Sequence, residues 1–360
     1  MKHAFIAWTP LHLINALNII VNKFDKQETT IFCYDDFSFA PKLIGSLKLE
    51  FPEIKVITIN NNLFTNKLKK IWHLYKPFKN NHFDCYDHLY IPGDNYFARV
   101  LYLQQKHYNS SLQLHYYEDG IGAYIGADIL RLENKNDKWQ KYYVKNSIFH
   151  AKWGKGYYYK PSLVAETFCS ELQEIPSFTE ENPAYAGIMR LFKRAYQENY
   201  NDSDEMELIY FDQPFLNDNV AIDEVKVFQQ LNTLCQSQQM NLKVKCHPRS
   251  DANKYGQAQL VETNLPWEIF VQLVDIEKLV IFSVNSTAGL SPLIMSGQEG
   301  RVIYLPKYIQ NLYAFKSDSK EYAILKNSEE LFSRFADEGK LAITLPSTDQ
   351  EIKRLLQQMV

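Results

Sequence analysis

Short apolar runs alternate with amphipathic stretches along both halves of this chain, a rhythm that few architectures can accommodate. Strand-like runs at Ala4–Trp8, Thr30–Tyr34, Lys55–Ile59, His88–Ile91 and Leu112–Tyr117 are separated by Leu11–Asn22, Phe39–Leu49, Asn66–Tyr75 and Tyr96–Lys106. These intervening stretches carry apolar residues three and four apart, the signature of a helix packed on one face. Strand–helix alternation at this interval predicts a mostly parallel, doubly wound sheet. Thr9 and Pro10, just after the first run, suit a helix start, with threonine as cap and proline in the first turn.

After Gly126 the rhythm lapses. Lys138 to Tyr159 is aromatic and β-leaning, Pro161, Pro176 and Pro183 interrupt an irregular stretch, and Leu191–Tyr200 reads as a helix. Asn201–Glu205 is polar and acidic, the best linker in the chain. Alternation then resumes. Strands are expected at Glu207–Phe211, Leu242–Cys246, Leu279–Phe282 and Val302–Leu305, with helices at Asp223–Ser237, Trp267–Leu273, Ser286–Met295 and from about Ser328. The expected fold is α/β, with two Rossmann-like domains at residues 1–200 and 201–360 facing across a cleft. Ligand is then expected beyond the carboxyl ends of their strands.

At 360 residues the chain exceeds one ordinary core, and its net charge of −3 gives no global field to attract nucleic acid. Five scattered cysteines, without a Cys-x-x-Cys, read as reduced and favour the cytoplasm. No run approaches the roughly 20 apolar residues of a membrane span, and the first eight residues are too soon interrupted to read as a signal peptide. Lysines and aromatics cluster at Asn66–Lys79 and Lys152–Lys160. A solvated helix with one packed face is the preferred reading of such a cluster over contact with an anionic membrane surface.

Several strand ends carry residues suited to group transfer. Glu118-Asp119-Gly120 follows the fifth run, where a carboxylate can be aimed by a glycine able to take unusual backbone angles. The plainer use of Asp-Gly is an acidic turn. The glycines of Gly120–Gly126 miss dinucleotide spacing by one residue and come after the run that reads as the last strand of their sheet, so that reading is set aside. His247, locked before Pro248 and followed by Arg249, projects from the end of another strand. A histidine with an ordinary pKa of about 6.5 there suits a phosphate. Ser283, Ser286 and Thr287 precede an apolar helix whose start would hold an anion, or would be an ordinary cap. Asp212 ends a strand and either meets ligand or closes a turn, whereas Asp223 is placed to cap a helix or to act in catalysis. Asp202 and Asp204 have the spacing of a metal-binding pair, but their charged linker argues against it, and no metal or other cofactor is expected.

With these residues assembled, the chain resembles bacterial sialyltransferases, most closely glycosyltransferase family 52, the lipooligosaccharide group. The resemblance rests on Thr9-Pro10-Leu11-His12-Leu13, Glu118-Asp119-Gly120, His247-Pro248 and Ser286-Thr287, in that order from residue 1 to about 300. It implies a two-domain glycosyltransferase of the GT-B type, with inverting, metal-independent transfer of sialic acid from CMP-sialic acid to a terminal galactoside of a bacterial surface glycan. Asp119 would be the base, with Glu118 its neighbour. His247 would bind or protonate the phosphate, and Ser286, Thr287 and Ser283 would hold it. Some lipooligosaccharide enzymes place the base upstream of His-Pro, which would move it to Asp223. The resemblance is compatible with a homodimer and with peripheral attachment to the inner face of the membrane. Competing expectations are transfer of another nucleotide sugar, such as a glucosyl donor, and a non-catalytic glycan-binding protein.

Overall fold

Parallel pairing organises both halves of the chain, which divides into two units, Met1–Asn199 and Tyr200–Val360. The structure is a computed structural model and describes residues 1–60, 83–125, 148, 151–197, 206–247, 249–286, 288–337 and 342–359. The helix expected at Asn66–Tyr75, the Asn66–Lys79 cluster, the linker at Asn201–Glu205, Pro248 and Thr287 lie outside the described residues.

Unit 1 holds β1 (His3–Ala7), β2 (Thr29–Tyr34), β3 (Lys55–Ile59), β4 (His88–Ile91), β5 (Gln113–Tyr117), β6 (Trp153–Tyr158) and β7 (Cys169–Glu174). They form one sheet in the order β3-β2-β1-β4-β5-β6-β7, every pair parallel. The order reverses beside β1, the position where open α/β sheets bind ligands. β1 and β2 are buried along their whole length, as central parallel strands must be. The β7 edge instead carries Ser170, Glu171 and Glu174 outward, which blunts it against further pairing. Helices α1 (Pro10–Lys23), α2 (Ala40–Glu50) and α3 (Tyr96–Tyr108) connect strands, and α4 (Tyr185–Tyr196) packs on α2.

Unit 2 holds β8 (Glu207–Phe211), β9 (Leu242–Lys245), β10 (Leu279–Ser283), β11 (Arg301–Tyr304) and β12 (Ala342–Thr344), in the order β12-β11-β10-β8-β9, again all parallel. Its helices are α5 (Glu224–Gln236), α6 (Trp267–Phe270), α7 (Ser291–Ser296), α8 (Pro306–Tyr313), α9 (Lys320–Asp337) and α10 (Asp349–Gln357). Leu208, Tyr210, Val227, Leu231, Phe282 and Ile303 share one buried core.

Some expectations are corrected. β5 is not the last strand of its sheet, since β6 and β7 lie beyond it. The aromatics of Lys152–Lys160 are interior: β6 buries Trp153, Tyr157 and Tyr158, and Tyr159 is buried after it. They fill the sheet and do not form a membrane-facing patch. The helix expected from Ser286 begins at Ser291, and the last long helix begins at Lys320, ahead of Ser328. Among the described residues no helix is long and apolar enough to cross a membrane.

Three histidines stand side by side near the amino ends of β1, β4 and β5. His3 and His88 are register partners with rings stacked at 4.9 Å. His88 Nδ1 lies 3.0 Å from His115 Nε2, and His115 Nδ1 accepts the Lys155 N–H at 2.9 Å. The neutral His115 ring therefore carries its proton on Nε2 and gives it to His88. Burial, then the neighbouring His88, pushes His115 down to about 3 and His3 down to about 4; His88 is lowered by burial as well. The unfolded chain takes up these protons near pH 6.5 while the folded chain refuses them. Their stabilising contribution is thus complete above about pH 6.5 and is lost as pH falls towards 4. Urea midpoints should fall over that window, and His115→Gln should flatten the slope. Identical slopes in the two proteins would show that the ring does not carry it.

Candidate active site

The end of β5 sends its two acids in opposite directions. Tyr117 is buried and its hydroxyl donates to the Ile6 carbonyl at 2.5 Å, which ties the exit of β5 to β1. The Glu118 N–H donates to the Tyr157 carbonyl at 2.9 Å, so the backbone stays paired one residue past the strand. The Glu118 carboxyl turns inward, where its Oε2 accepts the Tyr124 hydroxyl at 2.6 Å and the Tyr159 N–H at 3.0 Å. Burial pushes this carboxyl up to about 7, against the pull of those two donors. Asp119 points the other way, with 46% of its side chain exposed. Gly120 then turns the chain at φ +101°. A methyl group there would meet only Leu11 Cδ2 at 3.5 Å, so the backbone angle, and not crowding, demands glycine.

One oxygen of Asp119 is held from behind. His12, on the first turn of α1, is fully buried and hydrogen-bonds Asp119 Oδ1 through Nε2. Thr9 sets that turn: it caps α1 in extended geometry, and its Oγ1 accepts the His12 N–H at 3.2 Å. Pro10 fills the first helical turn. The rings of Trp8 and Tyr117 lie nearly perpendicular to the His12 ring, with centroids 4.7 and 6.2 Å away. Below His12 the same helix face carries Asn15, Asn18 and Asn22. Asn15 donates to the Glu118 carbonyl at 2.9 Å, Asn18 to the Pro176 carbonyl at 2.7 Å, and Asn22 to Asn182 Oδ1 at 2.9 Å. Reading this helix by its apolar positions passes over its polar ridge. The signal is present in the sequence, since polar residues at 12, 15, 18 and 22 share one helical face.

In unit 2 the structure aims the His247 ring. Its backbone N–H donates to Asp212 Oδ2 at 3.1 Å, and the Arg249 N–H donates to His247 Nδ1 at 3.1 Å. With Nδ1 accepting, the neutral ring bears its proton on Nε2. Burial, and next the Arg249 cation, hold this imidazole below its ordinary range despite Asp212 and Asp218. The Arg249 guanidinium is itself engaged by both oxygens of Asp218, at 2.7 and 3.0 Å.

Other residues expected to contact ligand make hydrogen bonds within unit 2. Asp212 does not face solvent: its side chain is fully buried and accepts Tyr255 OH at 2.5 Å, with Lys254 Nζ at 2.9 Å. Lys254 also reaches Glu224 Oε1 at 2.7 Å. Asp212 therefore shapes the His247 loop from within. Asp223 is an exposed cap of α5 whose Oδ1 accepts the Lys226 N–H at 3.0 Å. Ser283 is buried, and its Oγ accepts the Ser286 N–H at 2.8 Å, while Ser286 Oγ accepts the Ala288 N–H at 3.4 Å. These hydroxyls close the turn after β10. Among the described residues the helix expected to open at Ser286 starts only at Ser291, so Ser286 does not stand at its amino end. Nor do those residues include a group of three or more His, Cys, Asp or Glu able to hold a metal ion.

A family model described as alpha-2,8-polysialyltransferase matches residues 3–290. No curated protein matches the chain. Among solved structures, UDP-GlcNAc 2-epimerase from Methanocaldococcus jannaschii aligns at TM-score 0.54 and 13% identity, covering 100% of this chain and 92% of that one. MurG of Acinetobacter baumannii aligns at TM-score 0.46 and 11% identity, over 100% and 90%. UDP-GlcNAc 2-epimerase from Neisseria meningitidis bound to UDP-GlcNAc aligns at 0.47 and 13%, over 100% and 99%. The fold is α/β of the GT-B type, with two Rossmann-like units of parallel strands and helices.

The Asp212–Lys254–Glu224 group should be the main electrostatic support of the His247 loop. Asp212→Ala leaves Lys254 half-paired and the His247 N–H and Tyr255 hydroxyl without their acceptor, a loss of about 3 kcal/mol. Hydrogen exchange should register it as lost protection in β8 and β9 with unit 1 unaffected. Unchanged protection in β8 and β9 would count against this role.

Proposed function

The chain belongs to the alpha-2,8-polysialyltransferase family and is a glycosyltransferase, and on that footing we propose that it transfers sialic acid from CMP-sialic acid to a glycan hydroxyl, with inversion and without a metal. One observation carries the reading: of the two acids ending β5, Asp119 alone faces solvent, with one carboxylate oxygen already held. A carboxylate so placed suits removal of a proton from an acceptor hydroxyl. Unit 2 supplies the other requirement, a histidine whose Nδ1 accepts the Arg249 N–H, which puts the ring proton on Nε2, the nitrogen suited to meet an anion.

In this reading the acceptor O–H bond breaks and its proton passes to Asp119. The acceptor oxygen bonds to the anomeric carbon of sialic acid on the face opposite the nucleotide. The anomeric C–O bond breaks, and its electron pair leaves with the CMP phosphate. His247 Nε2–H then donates to the phosphate oxygen where negative charge accumulates. The arriving phosphate favours the imidazolium form, opposing the burial and the Arg249 charge that lower it in the free protein. Unit 1 thus serves the acceptor and unit 2 the donor.

Galactosides are the acceptors that the sequence resemblance suggests. The family match favours a second acceptor, a glycan already ending in sialic acid, extended through an α-2,8 linkage. Association with a membrane surface belongs to the same proposal, as the place where such a surface glycan is built.

Incubation with CMP-sialic acid and with UDP-sugars, each with a galactoside and with a sialoside, tests donor and acceptor together. CMP release that requires an acceptor supports the proposal, whereas UDP release would replace the donor. Asp119→Ala and His247→Ala should each cut turnover by about a hundredfold or more. Asp223→Ala should cost only its cap, about 1 kcal/mol of stability, with turnover retained. An active Asp119→Ala beside an inactive Asp223→Ala would move the base to Asp223.

A further inference from the structure

We propose that His12 is a positioning residue for the acceptor base: by donating Nε2–H to Asp119 Oδ1 it leaves Oδ2 as the single oxygen that takes the acceptor proton. This rests on Asp119 being the base. His12 is fully buried, and among the described residues its Nδ1 has no hydrogen-bond partner. Among the described residues the only acceptor for the ring lies at Nε2, so the neutral ring carries its proton there. Trp8 and Tyr117 stand nearly perpendicular to the ring and fix its plane, while the Thr9 cap fixes the backbone that bears it.

The arrangement is a poor one for stability alone. A buried imidazole with one bare nitrogen costs free energy that a leucine at this position would not, and its single hydrogen bond goes to a half-exposed carboxylate. What the bond does accomplish is orientation. A free aspartate rotates about its terminal torsion and presents either oxygen, whereas a carboxylate pinned at Oδ1 presents one lone-pair direction to the acceptor. Misplacement of a reacting group by about 1 Å is worth about a hundredfold in rate.

Glutamine and asparagine at position 12 separate orientation from polarity, because the glutamine amide nitrogen reaches the place of Nε2 and that of asparagine reaches only the place of Nδ1. In the full-length chain with CMP-sialic acid as donor, His12→Gln should keep kcat within about fivefold of the parent. His12→Asn should lose about a hundredfold in kcat. CMP affinity by calorimetry and acceptor KM should stay within about threefold in both variants, because neither depends on which oxygen faces the hydroxyl. Equal kcat for the two variants, or a loss that appears in CMP affinity, overturns the proposal. Nitrogen-15 shifts of the His12 ring give a reading independent of turnover. An Nε2-protonated ring that loses its exchange protection in Asp119→Ala supports the proposal, and an Nδ1-protonated ring overturns it. If that tautomer is found but the parent transfers nothing from CMP-sialic acid, the assigned reaction fails and the His12–Asp119 bond stands.

Discussion

The inward turn of Glu118 governs the acceptor end of unit 1. Its carboxyl joins the Tyr124 hydroxyl to the Tyr159 N–H, and its carbonyl receives Asn15 from α1. The residue is therefore a joint between the exits of β5 and β6 and the first helix. With Glu118 fixed inward, the next side chain must emerge on the other side, and Gly120 bends the chain away before anything can cover it. Asp119 is exposed because Glu118 is buried. A polar core residue sets the direction of a functional one.

Unit 2 uses the same device. Asp212, just past β8, joins the Tyr255 hydroxyl to the N–H of His247, which lies just beyond β9. In each unit a buried carboxylate beyond a strand accepts one tyrosine hydroxyl and one backbone N–H from the exit of a neighbouring strand, β6 for Glu118 and β9 for Asp212. The two differ in charge compensation. Lys254 sits on Asp212 and is shared with Glu224. Glu118 has no cation on it among the described residues, and burial raises its pKa accordingly. Strand-end loops are weakly held by local forces alone, so a carboxylate gathering donors from two segments gives them one geometry.

The sheet was legible because buried parallel strands leave continuous apolar runs, and β1, β2, β4, β8 and β10 fall where such runs occur. The edge strand β7 and the short β12 left no such run, being half exposed. At the site, the motif positions could be read but not the directions of their side chains. Alternation along a strand ends with the strand, so nothing in Glu118-Asp119 says which acid turns in. His12 could not be assigned from sequence, because its partner lies 107 residues away. The start of α7 was misplaced for a different reason. A hydroxyl closing a turn and a hydroxyl capping a helix leave the same local pattern, and the choice depends on where α7 begins. The Asp212–Lys254–Glu224 group draws on three separate segments and has no sequence signature at all.

Unit 1 also balances two buried sets of opposite sign. Glu118, raised to about 7, adds stability in acid that is lost as pH rises from about 4.5 through 7. His3 and His115, lowered to about 4 and about 3, with His88 lowered beside them, add stability above about pH 6.5 that is lost in acid. Between those limits both sets are largely uncharged inside the fold, which is the state that burial favours. A carboxyl alone would make unit 1 firmest in acid, and the histidines alone would make it firmest in base. Together they place the optimum at about pH 6.5, because the shifts of His3 and His115 outweigh that of Glu118.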